Sequence, residues 1–221
     1  MENQTEIKLS APVIGIHRLR MSTDGQGVTT LVGLWGCPLR CRYCLNPHSW
    51  QDDVEKYKRF TPQELLETVY IDNLYFLSTD GGVTFGGGEP LLHPDFIQAF
   101  GSLCPQQWRI TLETSLNVPL HNIEKVVSRI NHFIVDMKDT NNEIYHQYTS
   151  ASNQRVFDNL KWLVDKVGAD IITVRLPLIP QHNTQKDVEQ SKKILGEMGI
   201  QNFDVFEYYE DVEQFKNVKT P

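Results

Sequence analysis

Cysteine is scarce in this chain, with four in 221 residues. Three of them, Cys37, Cys41 and Cys44, share one short stretch, and Cys104 stands apart. That is not the dispersed, even set of a secreted disulfide scaffold. No apolar run is long enough to span a bilayer, and the amino-terminal MENQTEIKLS lacks the basic and apolar blocks of a signal peptide. A cytoplasmic protein without membrane association is therefore expected. Positive charge is in deficit: 21 Lys and Arg against 28 Asp and Glu give a net charge of −7. This balance argues against a general nucleic-acid binder. Repeats, low-complexity tracts and Pro/Gly/Ser linkers are also missing, so a single domain over 1–221 is expected.

What the chain does have is an alternation of short β-branched runs with helical segments. Strands are predicted at 29–35, 83–85, 109–113, 133–136, 171–176 and 203–206. Thr61 reads as a helix N-cap, with Pro62 at the first helical position and Glu64 completing a capping box, while Phe60 and Leu65 suit a hydrophobic staple. A helix is predicted to open at Pro94. Another carries Val156, Phe157, Leu160, Leu163, Val164 and Val167 on one face and stops at Gly168. Thr184 caps a further helix ending near Gly199. Alternating strands and helices predict a parallel sheet. Six βα units are too few for the eight of a closed barrel, so the expected fold is α/β, a partial, open (β/α)6 barrel. Its site would lie at the carboxyl ends of the strands.

The first of these strands runs directly into Cys37-x3-Cys41-x2-Cys44. Three thiolates on one turn would leave one iron of a four-iron cubane open to an outside ligand. The same residues with His48 make a Cys3His set that tetrahedral zinc would accept. Against zinc, such sites usually gather ligands from two knuckles, whereas these come from one loop. A redox pair of Cys41 and Cys44 leaves Cys37 unexplained. On spacing alone, iron and zinc both stay open. After the second strand, Gly86-Gly87-Gly88-Glu89 allows close backbone approach to a ligand, although a glycine run is equally a plain turn. Asp136 and Lys138 alternate on one strand end and face the same side. Arg175 is a charge in an apolar strand and calls for an anionic or carbonyl partner, either a ligand or a structural ion pair. His17, His121, His132, His146 and His182 show no mutual ligand spacing and read as surface or satisfied core residues. Cys104 reads as a small buried apolar residue.

The cysteine motif after a first strand, followed by the Gly-Gly-Glu turn after the second, resembles the radical S-adenosylmethionine (SAM) superfamily. More narrowly, the chain resembles the short activating enzymes of glycyl radical enzymes, of the pyruvate formate-lyase activase type. Asp24-Gly25-Gln26-Gly27, Tyr43-Cys44-Leu45-Asn46-Pro47, Gly81-Gly82-Val83-Thr84, Gly87-Gly88-Glu89-Pro90, Val135-Asp136-Met137-Lys138 and Arg175-Leu176-Pro177 carry that resemblance. Residues 51–80 contain no cysteine, so one cluster is implied.

The resemblance implies a [4Fe-4S] cluster on Cys37, Cys41 and Cys44, with SAM chelating the open iron. One electron would break the sulfonium C–S bond to give a 5′-deoxyadenosyl radical, which abstracts hydrogen from a substrate. Tyr43 would lie near adenine, and Gly87, Gly88 and Glu89 near the methionine amino group. Glu113 and Ser115 could hold that amino group. Lys138 would neutralise the SAM carboxylate, and Asp136 would serve the ribose or a monovalent cation. Arg175 would lie near SAM, and Asp24 and Gly25 on the rim where the family docks its substrate loop. The implied partners are a glycyl radical enzyme and a one-electron donor such as flavodoxin or ferredoxin, with no nucleic acid and no membrane.

Other radical SAM modification of a peptide or small molecule is the enzymatic alternative, and a non-catalytic zinc or iron-sulfur protein is the other. The chain departs from the activases at Glu113, where Asp is usual, and at Ser115-Leu116, where Asn-Gly is usual. Pro180-Gln181-His182-Asn183-Thr184 stands for Pro-Gly-x-Asn-Asp. Glu207-Tyr208-Tyr209 stands for Pro-Tyr-His, with Tyr209 at the place of the histidine near adenine.

Overall fold

The computed structural model describes residues 9–21 and 23–208, which fall into two compact units. Residues 9–21, 23–37, 46–114 and 118–134 form the first; 38–45, 115–117 and 135–208 form the second. Among the described residues no helix is long and apolar enough to cross a membrane.

The first unit opens with strand β1 (Ala11–Met21), which pairs antiparallel with β2 (Val28–Leu34). A short helix α1 (His48–Gln51) and strand β3 (Arg59–Phe60) follow, with β3 antiparallel to the start of β1. Helices α2 (Pro62–Val69) and α3 (Asn73–Thr79) lead to β4 (Gly82–Gly87), α4 (Pro94–Leu103), β5 (Arg109–Thr114) and α5 (Leu120–Val126). The strand order in this unit is β3-β1-β2-β4-β5, and β2, β4 and β5 run parallel. Strand β6 (His132–Asp136) continues the chain from the first unit into the second. The second unit holds α6 (Asn142–Thr149), α7 (Gln154–Val167), β7 (Ile172–Leu178), α8 (Gln185–Glu197) and β8 (Asn202–Glu207), with β7 and β8 parallel.

All six strands predicted from the β-branched runs are present, as β2 and β4 to β8. The two additional strands, β1 and β3, make the antiparallel edge. β1 is not marked by a β-branched run through its second half, which is an edge. Only Ala11 and Pro12 pair with β3, and the ladder to β2 has irregularities at Val13/Gly15 and His17/Arg20. Arg18 and Arg20 sit where an unpaired edge tolerates charge. Arg18 also donates to Asp72, whose fully buried carboxylate accepts from Thr30 Oγ1 at 2.7 Å as well.

The core of the first unit is aromatic. Phe85 meets Phe100 edge-on at 5.2 Å and Phe76 meets Trp108 at 4.9 Å, which is the favoured geometry for ring pairs. Leu160, Leu163, Val174, Leu176 and Leu195 fill the core of the second.

The helix boundaries follow the sequence signals closely. Thr61 Oγ1 accepts from the Glu64 N–H and the Glu64 carboxylate accepts from the Thr61 N–H, closing the capping box. Thr184 and Asp187 repeat it at α8. α7 stops at Gly168 with φ 79°. Because the Thr61 cap satisfies donors that a helix start leaves open, Thr61→Ala is expected to cost about 1 kcal/mol. Urea unfolding monitored by circular dichroism measures it.

Candidate functional site

Cys37 belongs to the first unit, Cys41 and Cys44 to the second, and all four cysteines of the chain are free thiols. In the first unit β2 and β4 end in register at Leu34 and Gly87. Beyond that point the chain turns twice, once into the cysteine motif and once through the glycine turn. Gly87 has φ 93°, a conformation that L side chains rarely adopt. The Gly88 N–H donates to the Leu34 carbonyl at 3.0 Å and the Glu89 N–H to the Gly36 carbonyl at 2.6 Å. A Cβ on Gly88 would collide with the Gly36 carbonyl, so only glycine lets the two turns approach this closely.

Glu89 is 1% exposed, and its Oε1 accepts from Thr114 Oγ1 at 2.7 Å and the Leu91 N–H at 3.2 Å. Its side chain braces the turn. The Glu113 carboxylate lies over Gly86, where a Cβ would come within 2.9 Å of Oε2. The longer side chain at 113 is thus accommodated by the glycine opposite it.

Asp24 and Gly25 do not lie at the strand ends. The Asp24 carbonyl accepts from Thr84 Oγ1, and a Cβ on Gly25 would meet Thr111 Oγ1. Thr84 and Thr111 are register partners within β4 and β5. The Asp24 side chain is buried and pairs with Arg20.

In the second unit the cysteine loop is held by α6: the Arg40 N–H donates to the Thr149 carbonyl at 2.9 Å and the Arg42 N–H to the Tyr148 carbonyl at 3.1 Å. Lys138, at the end of β6, is buried and donates to Asp136 Oδ2. Burial works against the Lys138 ammonium, but Asp136, helped by Tyr208, Cys41 and Tyr148, holds its pKa above the usual lysine range. Burial pushes the Cys41 thiol up to about 11, with Lys138 opposing and Asp136 and Cys44 adding to the rise. A metal binding there has to displace that proton. Asp136 Oδ1 is buried and accepts no hydrogen bond among the described residues. Ser115 is buried, with Oγ accepting from the Asn117 N–H at 3.3 Å. Arg175 pairs with Asp204 on β8 at 3.1 Å, the structural ion pair that its apolar strand allows.

The Tyr43 ring stands 6.2 Å from Tyr148, 6.0 Å from His182 and 6.5 Å from Tyr208. Asn183 shapes the His182 turn, accepting from the Ile179 N–H at 2.6 Å and donating to Asp139 at 3.1 Å. Beside Tyr208, an open surface depression is lined by Leu178, Pro180 and Asn183. The sequence alone does not mark Tyr148, His182 or Tyr208 as neighbours of Tyr43. The one local signal was Tyr145 and Tyr148 three residues apart after Lys138, one turn of helix. Tyr209 lies outside the described residues.

His48 packs its ring 6.3 Å from Tyr57. Among the described residues, no three His, Cys, Asp or Glu side chains already stand close enough together to hold a metal ion. The donor set nevertheless fits an iron-sulfur cluster with one open iron: three free thiols spaced C-x3-C-x2-C. Cys104 is half-buried at the end of α4, its Sγ directed to the Gly101 carbonyl at 3.7 Å.

Comparison with known proteins agrees with this chemistry. The Radical SAM superfamily profile matches residues 35–193. The pyruvate formate-lyase-activating enzyme of Clostridium pasteurianum is 32% identical over 74% of this chain and 67% of its own length. The pyruvate formate-lyase 1-activating enzyme of Escherichia coli K12 is 27% identical over 86% of this chain and 77% of its own. Among solved structures, Streptococcus suis SuiB bound to S-adenosylmethionine superposes with a TM-score of 0.60 at 16% identity, over 84% of this chain and 41% of that one. The likeness supports the expected α/β fold. The chain belongs to the radical SAM superfamily.

Proposed function

We propose that this chain activates a glycyl radical enzyme, abstracting hydrogen from a glycine of that partner. Sequence similarity to activating enzymes over most of the chain carries this reading. Cys37, Cys41 and Cys44 would hold a [4Fe-4S] cluster, which with SAM would supply the one-electron reductive chemistry that removes a hydrogen atom from the glycine.

The residues bind and orient. The turn at Gly87, Gly88 and Glu89 offers backbone to the methionine amino group, and Glu113 and Ser115 supply acceptors nearby in sequence. Lys138, kept charged by Asp136, receives the carboxylate. Asp136 Oδ1, lacking a donor, serves a ribose hydroxyl or a monovalent cation. Tyr43, with Tyr208 and His182 around it, offers an aromatic wall to adenine. Arg40 and Arg42 are exposed on either side of Cys41, a basic feature that favours an acidic electron donor of the flavodoxin or ferredoxin kind. A cytoplasmic setting suits all of these partners.

Lys138→Met is expected to raise the Kd for SAM by roughly 30-fold or more, since truncating one partner of a buried charge pair costs about 2 kcal/mol or more. Equilibrium dialysis of the iron-loaded protein measures it. The substrate assignment is tested by incubating the reduced, SAM-loaded protein with candidate glycyl radical enzymes. A glycyl doublet in electron paramagnetic resonance, with one 5′-deoxyadenosine formed per radical, supports it. SAM cleavage without a radical on any such partner would favour a different radical SAM substrate.

A further inference from the structure

Three consecutive carbonyls lead into Cys37, and all three accept from one segment of the chain. Leu34 accepts from the Gly88 N–H at 3.0 Å, Trp35 from His93 Nε2 at 2.7 Å, and Gly36 from the Glu89 N–H at 2.6 Å. Backbone donors of the glycine turn serve the first and third. The second needs a side chain, because the chain bends at Trp35, just beyond the end of β2. A carbonyl left there without a donor would cost about 1–3 kcal/mol if buried.

His93 is well placed to supply the donor. It caps α4, its N–H donating to the Pro90 carbonyl at 2.9 Å and its carbonyl accepting from the Ile97 N–H at 3.2 Å. The ring therefore rises from the rigid start of a ten-residue helix. A carbonyl can only accept, so Nε2 carries the proton. Burial, with Arg59 adding to it, lowers the His93 pKa despite the opposing bond to Trp35, which keeps the ring in this neutral form.

The far end of the cysteine loop is tied to the same place. Asn46 Nδ2 donates to the Gly87 carbonyl at 3.2 Å, and the Gly36 N–H donates to the Ser49 carbonyl at 2.7 Å. Residues 87–93 thus grip the chain on both sides of the cysteines, and His93 is the side-chain member of that grip.

We propose that His93 is a positioning residue for the cluster: its bond to the Trp35 carbonyl holds the strand end that presents Cys37 in place against the glycine turn. The inference rests on the assignment of Cys37 as a cluster ligand. It assigns His93 no contact with SAM or iron. Residues that orient ligands from behind typically contribute 10–100-fold to metal affinity.

The test compares His93→Leu, which removes the donor, with His93→Gln, whose amide N–H can replace it. Both are reconstituted anaerobically beside the parent protein. Iron loss to a chelator is timed, and the paramagnetic resonance of the reduced cluster is recorded with and without SAM. His93→Leu is expected to lose iron roughly tenfold faster and to show an altered response to SAM, while His93→Gln restores both. Parent-like behaviour of His93→Leu would overturn the proposal, as would equal damage in the two variants, which would assign the effect to ring packing. Should His93→Leu fail to fold, His93→Gln decides alone: parent-like retention supports the bond, and rapid loss refutes it. Failure of the parent protein to bind iron would instead overturn the ligand assignment, a separate result.

Discussion

Cys41→Ala, reconstituted with iron and sulfide under anaerobic conditions, is expected to hold no four-iron cluster and to release no 5′-deoxyadenosine. The physical reason lies in the ligand count. Three thiolates leave one iron for SAM; two would leave a second iron exposed to water. Cys41 is half-buried, its thiol feels Lys138 and Asp136, and the backbone N–H groups on either side of it bond to α6. Cys104→Ala is the matched control. That thiol sits half-buried at the end of α4, 60 positions from Cys44 in the sequence, and its loss is expected to leave iron content and SAM cleavage unchanged. Iron and sulfide analysis with product chromatography compares the two. Retention of SAM cleavage by Cys41→Ala would remove Cys41 from the ligand set.

Gly88→Ala is expected to be nearly as severe, for a steric reason. The added Cβ would run into the Gly36 carbonyl and come within 2.8 Å of the Leu34 carbonyl. Both obstacles are backbone, so no side chain can swing away. Forcing in the methyl group costs about 1–3 kcal/mol, and any relief has to displace the strand end that carries Cys37. Stability and iron binding should therefore fall together. Gly196→Ala makes the contrast. Gly196 lies within α8 with nothing in the way of a Cβ, and there alanine is expected to stabilise by about 0.5–1 kcal/mol. Thermal unfolding should show shifts of opposite sign, of roughly 2–4 °C per kcal/mol for a chain of this size.

Local signals in the sequence proved reliable where the structure they encode is itself local. The Thr61 and Thr184 caps, the Gly168 stop and the six β-branched strands depend on neighbours within a few positions. β1 stayed hidden because its charges reflect a one-sided pairing that only the sheet order reveals. The glycine turn was legible as a place of close approach, but what approaches it, the strand end at Leu34–Gly36, could not be read from spacing.

The same limit applies to the aromatic surroundings of Tyr43. Tyr148, on α6, and Tyr208, just after β8, lie more than a hundred positions away. His182 looks like any turn histidine until Asn183 and Asp139 are seen to fasten its turn. Asp24 shows the converse. Its motif was readable through the family resemblance, yet its position against Thr84 in mid-strand comes only from the folded chain.

The central claim, that the three-cysteine loop is built for reductive SAM cleavage, is tested most directly by one anaerobic assay. The iron-loaded parent protein is mixed with SAM and dithionite, and 5′-deoxyadenosine is quantified beside iron content. The account predicts four irons per chain and 5′-deoxyadenosine with an equal amount of methionine, both lost in Cys41→Ala. Stable zinc in place of iron, or a fully loaded cluster that leaves SAM intact, would contradict it.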